Sequence, residues 1–302
     1  MMTEEFQRRQ EIAAATNVDV FSASYNGRYS WPNKLAHCDG VKQSVRDSCF
    51  NLMLDSAYSN DDTTNSDIIK ACRQYDPEYI IPKDYPGDAE MTLDSLREFL
   101  ELYSQEQNQP ATVVPVLQPP YAEHYNEYED FYSQFGCLAV GGLQAYSTEE
   151  QITIIKEVRD AVGPHIRLHG FGVGTSFQFV QAQRSHQNFL DSFDISTAEI
   201  AIKCNKIPDG TLKQRAFTMP GGEDSTSVRA QFTVAVLVQL NYILSHKVDM
   251  NRLREEYETE TELQSLQSII EGTEVRSRHQ LNFGEMATHE DGQSTLLNYS
   301  SS

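Results

Sequence analysis

Features that would assign this chain to several common classes are missing from its sequence. Its five cysteines are scattered without a C-x-x-C pair, so neither a disulfide framework nor a zinc site is indicated. No run approaches the roughly 18 apolar residues of a membrane span, and residues 1–16 lack the apolar core of a signal peptide. No repeat indicates a solenoid. These absences predict a soluble cytoplasmic protein without a bound metal or membrane partner.

Positive charge is also scarce. Lysine and arginine together number 24 against 44 aspartates and glutamates, which gives a formal net charge of −20. Such a surface repels nucleic acid at ordinary ionic strength. In concentrated salt the repulsion is screened, because the Debye length is about 3 Å at 1 M. The composition therefore favours a halophilic protein, with an ordinary acidic cytoplasmic enzyme as the alternative.

The chain does contain an alternation of short apolar runs with helical segments. Seven runs predict buried strands: Val18–Ala23, Leu52–Asp55, Tyr79–Pro82, Thr112–Leu117, Cys137–Gly142, Ile166–Gly170 and Phe189–Asp194. Helices are predicted between them, including Leu93–Tyr103 and Thr148–Val162. Ser147 is expected to cap the second helix, and Gly163-Pro164 to end it.

This alternation predicts an α/β fold, a TIM-type (β/α)8 barrel with C-terminal helices. The eighth strand is expected in Ile200–Cys204 or in Ala216–Met219, and the pattern does not choose between them. Two long helices follow, Ser225–Ser245 and Met250–Ile270. The expected domains are a barrel in residues 1–222, helices packed on it in 223–272, and a flexible tail in 273–302.

Polar residues gather at the predicted carboxyl ends of the strands, where a barrel of this kind has its active site. Three are the carboxylates of Asp55, Asp84 and Asp194. A carboxylate accepts two adjacent N–H donors from a guanine-type edge, and the Gln118 amide can donate to the carbonyl of that base. Phe171 offers a stacking face, with an ordinary core position as the alternative. Paired aspartates also divide the roles of nucleophile and general acid/base at a glycosidic carbon.

Several neighbouring residues have plainer interpretations. Gly142 permits close approach of the backbone to a ring, because it has no Cβ. The glycines between His169 and Gly174 serve a tight turn or, alternatively, a phosphate-binding loop. For Asp88 and Asp191 a structural role is favoured, although Asp191 can also position the nucleophile. His169 is expected to be a hydrogen-bonded histidine at the rim.

Five segments occur in a fixed order within Val18–Gly222. They are Leu54-Asp55-Ser56, Pro82 to Asp88, Val140 to Leu143, His169 to Gly174 and Asp191 to Asp194. In this order they resemble the tRNA-guanine transglycosylase superfamily. The chain looks most like the shorter branch that includes the DNA 7-deazaguanine transglycosylases of phages and archaeal viruses.

The resemblance implies base exchange in a polynucleotide without any cofactor. Asp194 would attack the anomeric carbon and displace guanine, leaving a covalent glycosyl-aspartate. A 7-deazaguanine, such as a cyano- or aminomethyl-substituted form, would then enter while Asp55 acts as general acid/base. The residues implied to bind the base are Asp84, Gln118, Gly142, Leu143 and Phe171.

DNA or tRNA is the partner that this function requires. The local basic stretch of Lys203, Lys206, Lys213 and Arg215 is expected to contact its backbone, with a solvated loop as the alternative. The C-x-C-x-x-C zinc motif of the tRNA-modifying relatives is not matched, and too few residues follow Gly222 for an added RNA-binding domain. DNA is therefore favoured over tRNA. The family often dimerises, so a second copy of the chain is also an expected partner.

Three alternatives to DNA base exchange stay open. One is the same exchange in tRNA. Another is a non-catalytic paralogue that acts as a partner subunit, against which the presence of both Asp55 and Asp194 counts. The third is an unrelated barrel hydrolase with two carboxylates, which would release free sugar instead of exchanging a base.

Overall fold

The structure is a computed structural model that divides into two compact units. It describes residues 4–108, 110–186, 189–196, 206–208, 214–216, 225–245 and 248–258. The first unit, here called the sheet unit, comprises Val18–Gly174 and His186–Ile195. The second, the helical unit, draws on Met1–Asn17, Thr175–Ser185 and Ser196–Ser302. The expected domain boundary at residue 222 and the expected tail lie outside the described residues.

The sheet unit is built on a curled parallel sheet of nine strands. The strands are β1 (Asp19–Ala23), β2 (Asn33–His37), β3 (Asn51–Asp55), β4 (Tyr79–Ile80), β5 (Thr112–Val113), β6 (Val116–Leu117), β7 (Cys137–Val140), β8 (Arg167–Gly170) and β9 (Ser192–Ile195). Their order across the sheet is β5-β4-β3-β2-β1-β9-β8-β7-β6. The architecture is therefore a TIM-like parallel α/β fold.

Helices follow most of these strands. The described helices are α1 (Glu4–Ala14), α2 (Gln43–Arg46), α3 (Asn65–Tyr75), α4 (Ala89–Tyr103), α5 (Tyr121–Glu127), α6 (Glu129–Tyr132), α7 (Thr148–Val162), α8 (Phe177–Ser185), α9 (Ser225–Leu244) and α10 (Met250–Glu258), with a 3-10 helix at Leu143–Ala145. None of them is long and apolar enough to cross a membrane.

The two edge strands of the sheet are consecutive in the chain. β5 pairs with β4 and β6 pairs with β7, and only Val114 and Pro115 lie between them. Proline has no N–H for a ladder, so it divides the predicted run Thr112–Leu117 into two short strands. The sheet consequently has nine strands, where the sequence predicts a closed ring of eight.

The strand that the sequence analysis missed is β2, which lies between β1 and β3. The expectation that the eighth strand follows β9 is therefore wrong. Ile200–Cys204 lies outside the described residues, and Ala216 ends an antiparallel strand of the helical unit. The sequence did not predict β2 because Lys34, although buried, makes this segment too polar to read as an apolar strand.

The buried ammonium group of Lys34 is satisfied by local oxygens. Its Nζ donates to the carbonyl of Tyr29 at 2.6 Å and to Oγ of Ser48 at 2.7 Å. A third bond, of 3.0 Å, goes to the carbonyl of Asn26. A charged group without such partners would be strongly unfavourable in the interior. These bonds explain how a lysine side chain can be fully buried on an interior strand of the sheet.

Capping residues set the start of two helices, one of which the sequence predicts correctly and one of which it places too late. α7 spans Thr148–Val162 as predicted, with a capping box between Ser147 and Glu150. α4 begins at Ala89, four residues before the predicted start at Leu93, because the Asp88 side chain accepts the N–H of Met91. The structural interpretation of Asp88 is thereby confirmed.

Two apolar clusters lie on opposite faces of the sheet. Leu52 and Leu54 of β3 pack with residues of α3 and α4, among them Ile68 and Phe99. Met53 points to the other face, because side chains alternate along a strand. There it joins a cluster, here called the inner cluster, of Phe21, Leu35, Met53, Ile81, Val114, Val116, Cys137 and Ala139. The inner cluster is the floor beneath the candidate site.

The helical unit contains α1, α8, α9 and α10 and a two-stranded antiparallel sheet. α9 packs against α1 and α8, and Arg184 of α8 donates to the carbonyl of Val248 at 3.0 Å. The small sheet pairs β10 (Lys206–Pro208) with β11 (Gln214–Ala216). The predicted helix Met250–Ile270 is described as far as Glu258, and its remainder lies outside the described residues.

Candidate active site

Three buried carboxylates lie at or just after the carboxyl ends of parallel strands. Asp55 is the last residue of β3, Asp84 follows β4, and Asp194 is the third residue of β9. Their exposed fractions are 7, 7 and 8 %. Asp55 is two residues from Met53, and Asp194 is in register with Phe21, so both lie on the face of the inner cluster. The fold thus brings together the carboxylates predicted from sequence.

Asp84 and Gln118 form one hydrogen-bonded pair. Nε2 of Gln118 donates to Oδ2 of Asp84 at 3.1 Å, and Oγ of Ser56 donates to Oδ1. Oε1 of Gln118 accepts the N–H of Gly87 at 3.1 Å. Burial raises the pKa of Asp84 to about 6, and the negative charge of Asp55 adds to the effect. The pair presents one carboxylate and one amide in fixed orientation.

Asp55 has a histidine partner that sequence reasoning missed. Nε2 of His37 lies 3.2 Å from Oδ2 of Asp55, and the N–H of Ser56 donates to Oδ1 at 2.7 Å. The hydrogen bond to Asp55 raises the pKa of His37 above its ordinary value. His37 and Asp55 are register partners on β2 and β3. Recognition of β2 as a strand would have been the signal for this pair.

Aromatic rings surround His37. Tyr25 lies edge-on to its ring with centroids 5.6 Å apart, and Tyr58 lies 6.3 Å away on a similar edge-to-face arrangement. Both tyrosines are exposed. Phe171 is partly buried against the inner cluster and lies 4.5 Å from the ring of His169. The site therefore combines acidic groups with aromatic faces.

Asp194 is held by the backbone of the glycine-rich segment. The N–H of Gly172 donates to Oδ1 of Asp194 at 3.1 Å. Burial raises the pKa of Asp194 to about 7, the Gly172 bond opposes this rise, and the charge of Asp55 adds to it. A carboxylate with a pKa near neutrality is populated in both protonation states at physiological pH.

His169 lies beside Asp194 and is fully buried. Its Nδ1 is 2.9 Å from Oγ of Ser192, whereas Nε2 has no hydrogen-bond partner in the described part of the chain. Burial lowers the pKa of His169 to about 3, so the ring is neutral. The expectation of a hydrogen-bonded histidine thus holds for Nδ1 alone.

The Gly142–Leu143 segment adopts a backbone conformation that favours glycine. Gly142 has a φ of 70°, in the left-handed region. Gly141 is constrained by space, since a Cβ there would lie 2.5 Å from Nε2 of Gln118. Leu143 is fully buried, and its carbonyl accepts Nε2 of Gln151 at 2.7 Å. The carbonyl of Leu143 is therefore engaged within the protein.

Asp191 lies apart from the nucleophile candidate at the other end of β9. Its Oδ2 accepts Nη2 of Arg159 at 2.6 Å and the N–H of Leu168 at 2.8 Å. These bonds tie β9 to β8 and α7. The structural interpretation favoured for Asp191 is therefore supported by its contacts.

The predicted basic stretch belongs to the helical unit. Lys206 lies in β10, and Arg215 lies in β11, one register position from it. Lys203 and Lys213 lie outside the described residues. Across the described ranges, no group of three or more His, Cys, Asp or Glu side chains is arranged to hold a metal ion.

No protein-family model matches the chain, and no curated protein is significantly similar to it. Function is therefore inferred from the residues of the site and from the five sequence segments named above.

Replacement of Gly172 by alanine is expected to disturb Asp194 specifically. Gly172 has a φ of 67°, and an added Cβ would lie 2.5 Å from Oε1 of Gln144. Left-handed backbone costs a residue with a Cβ about 1–2 kcal/mol. We expect urea unfolding to report a loss of this size, and carboxyl NMR to report a higher Asp194 pKa as the N–H moves away.

The matched control is Gly136→Ala, because no atom lies within 4 Å of a Cβ at that glycine. It should change the unfolding free energy by less than about 0.5 kcal/mol. Equal effects of the two substitutions would show that the turn at Gly172 has no special relation to Asp194.

Proposed function

We propose that this protein is a transglycosylase that replaces guanine in DNA with a 7-deazaguanine base. The observation that carries the proposal is the convergence of Asp55, Asp84 and Asp194 above the inner cluster, with Gln118 bonded to Asp84. The resemblance of the five sequence segments to the tRNA-guanine transglycosylase superfamily supports the same assignment. In this proposal residues 112–117 count as one interrupted strand, which gives the eight-stranded TIM-type ring of that family.

Asp194 is the proposed nucleophile. One carboxylate oxygen attacks the anomeric carbon of the sugar, and the bond from that carbon to guanine N9 breaks. The electron pair goes to the base, and a proton from Asp55 neutralises the leaving guanine. The product of this half-reaction is a glycosyl ester on Asp194.

The second half-reaction reverses the roles. The incoming 7-deazaguanine gives the proton of its five-membered ring nitrogen to Asp55, and this nitrogen bonds to the anomeric carbon as the ester bond to Asp194 breaks. Asp55 thus regains the proton that it gave to guanine, and the proton count balances over the cycle. His37 lies 3.2 Å from Asp55 and supports the charged form of that carboxylate between the two steps.

Base recognition is assigned to Asp84 and Gln118. The Asp84 carboxylate accepts the ring N–H and the amino group of guanine, while the Gln118 amide donates to the base carbonyl. In the free protein these two side chains bond to each other at 3.1 Å, which satisfies both while no base is bound. Entry of a base exchanges that bond for bonds to the ligand. Phe171 supplies a stacking face.

Base exchange followed by nucleoside analysis tests the proposal. The protein is incubated at high KCl with guanine-containing DNA or with tRNA and several 7-deazaguanines, and the digested polymer is examined by mass spectrometry. A modified deoxynucleoside is expected. A modified ribonucleoside would favour the tRNA alternative. Release of free sugar would indicate a hydrolase, and the absence of any product from folded protein would indicate a non-catalytic subunit.

A further inference from the structure

Three buried side chains form a line across β8 and β9. Ser192 and Asp194 are two residues apart on β9 and share a face, and His169 of β8 is in register with Ser192. Nδ1 of His169 is 2.9 Å from Oγ of Ser192. Nε2, at the other side of the ring, is 3.9 Å from Oδ1 of Asp194. One imidazole therefore faces a hydroxyl and a carboxylate at its two nitrogens.

The unpaired Nε2 requires a reason. His169 has an exposed fraction of 0 %, and a buried polar atom without a partner is unfavourable. A distance of 3.9 Å is too long for a hydrogen bond. The rings of Phe21 and Phe171 lie edge-on to His169 at 5.6 and 4.5 Å, so packing holds the ring in this orientation.

We propose that His169 is the positioning residue of the nucleophile: whenever Asp194 is ionised, with or without substrate, His169 donates Nε2–H to its Oδ1 and leaves Oδ2 to attack the sugar. The hydroxyl of Ser192 donates to Nδ1, so the single proton of the neutral ring lies on Nε2. Gly172 donates its N–H to the same Oδ1. This role rests on the function proposed for Asp194, and it involves no proton transfer between His169 and Asp194.

A second donor to Oδ1 stabilises the charged form of Asp194. The other groups that act on this carboxyl are Asp55, which raises its pKa, and His37, which lowers it. The charge of Arg167 lowers the pKa of His169 and so disfavours protonation of its ring. The charge of Asp194 in turn contributes to the raised pKa of Tyr58. Loss of the His169 donor should therefore raise the Asp194 pKa and reduce the fraction of nucleophilic carboxylate at neutral pH.

Carboxyl NMR of protein labelled with 13C-aspartate tests this role without any substrate. The Asp194 signal is identified by its absence in Asp194→Asn. His169→Phe keeps a ring of similar size but has no N–H, and should raise the Asp194 midpoint by about one pKa unit. His169→Gln places an amide N–H near the Nε2 position and should restore the midpoint of the native protein. Ser192→Ala should give a smaller upward shift, because it no longer fixes the tautomer.

An unchanged Asp194 midpoint in His169→Phe would overturn the proposal, as would a His169→Gln protein that behaves like His169→Phe. If His169→Phe does not fold, 15N NMR of the native protein decides: the Nε2–H tautomer of His169 is required, and the Nδ1–H tautomer excludes the role. The pH profile of covalent capture should move to higher pH in His169→Phe. If the Asp194 midpoint shifts as expected but the protein exchanges no base, transglycosylation is rejected while the His169–Asp194 interaction is supported.

Discussion

Replacement of Asp194 by asparagine is expected to abolish covalent capture of DNA and to lower base exchange by at least about 10³-fold. The amide is neutral and a poor nucleophile, so the glycosyl ester cannot form. Its Oδ1 still accepts the N–H of Gly172, which is bonded to Asp194 in the native protein. The protein should therefore fold, and the covalent adduct should be missing from a denaturing gel.

Asp191→Asn is the matched control for this loss. It makes the same chemical change at the residue just before β9, but Asp191 bonds to Arg159 and Leu168 and has no described contact with Asp194. Capture per folded molecule should be retained in this variant. Full base exchange by Asp194→Asn would contradict the proposed mechanism directly.

The same Asp194→Asn substitution is expected to stabilise the protein at alkaline pH. The pKa of Asp194 is about 7 in the folded protein against the ordinary value of 3.8, so the folded state holds a proton that the unfolded chain has released. The native protein should therefore lose stability, relative to the variant, as pH rises from about 4 to about 7.

Urea unfolding at constant salt measures this difference. Between pH 5 and pH 8 the advantage of Asp194→Asn should widen by roughly 2–3 kcal/mol. Asp191→Asn should instead be less stable than the native protein, by about 1–3 kcal/mol of unfolding free energy, because the charge-assisted bond from Arg159 to residue 191 is weakened. A pH-independent difference between the native protein and Asp194→Asn would show that Asp194 is ionised throughout this range.

Local signals in the sequence were sufficient for most of the sheet. All seven predicted runs contain strands, since each is an apolar segment bounded by turn residues. Ser147 and Gly163 marked the ends of α7 for the same local reason. The position of polar residues after the strands then followed from the parallel arrangement, which is why Asp55 and Asp84 could be expected together.

The sequence could not reveal what depends on tertiary contacts. β2 went unrecognised because Lys34 is satisfied by oxygens from Asn26 to Ser48, and no periodicity encodes such bonds. The His37–Asp55 pair was lost with it. The lack of a hydrogen-bond partner at Nε2 of His169 could not be predicted either, because neighbouring strands determine the burial and the partners of a side chain.

The place of β9 in the sheet has a consequence for synthesis of the chain on the ribosome. β9 lies between β1 and β8, so the strand that carries Asp194 is inserted between one formed early and one formed late. A nascent chain that has reached Gly174 has both of those strands with unpaired edges, which are prone to join other chains. Emergence of β9 protects these edges and delivers the nucleophile in the same event. Prematurely terminated chains should thus be aggregation-prone and devoid of activity.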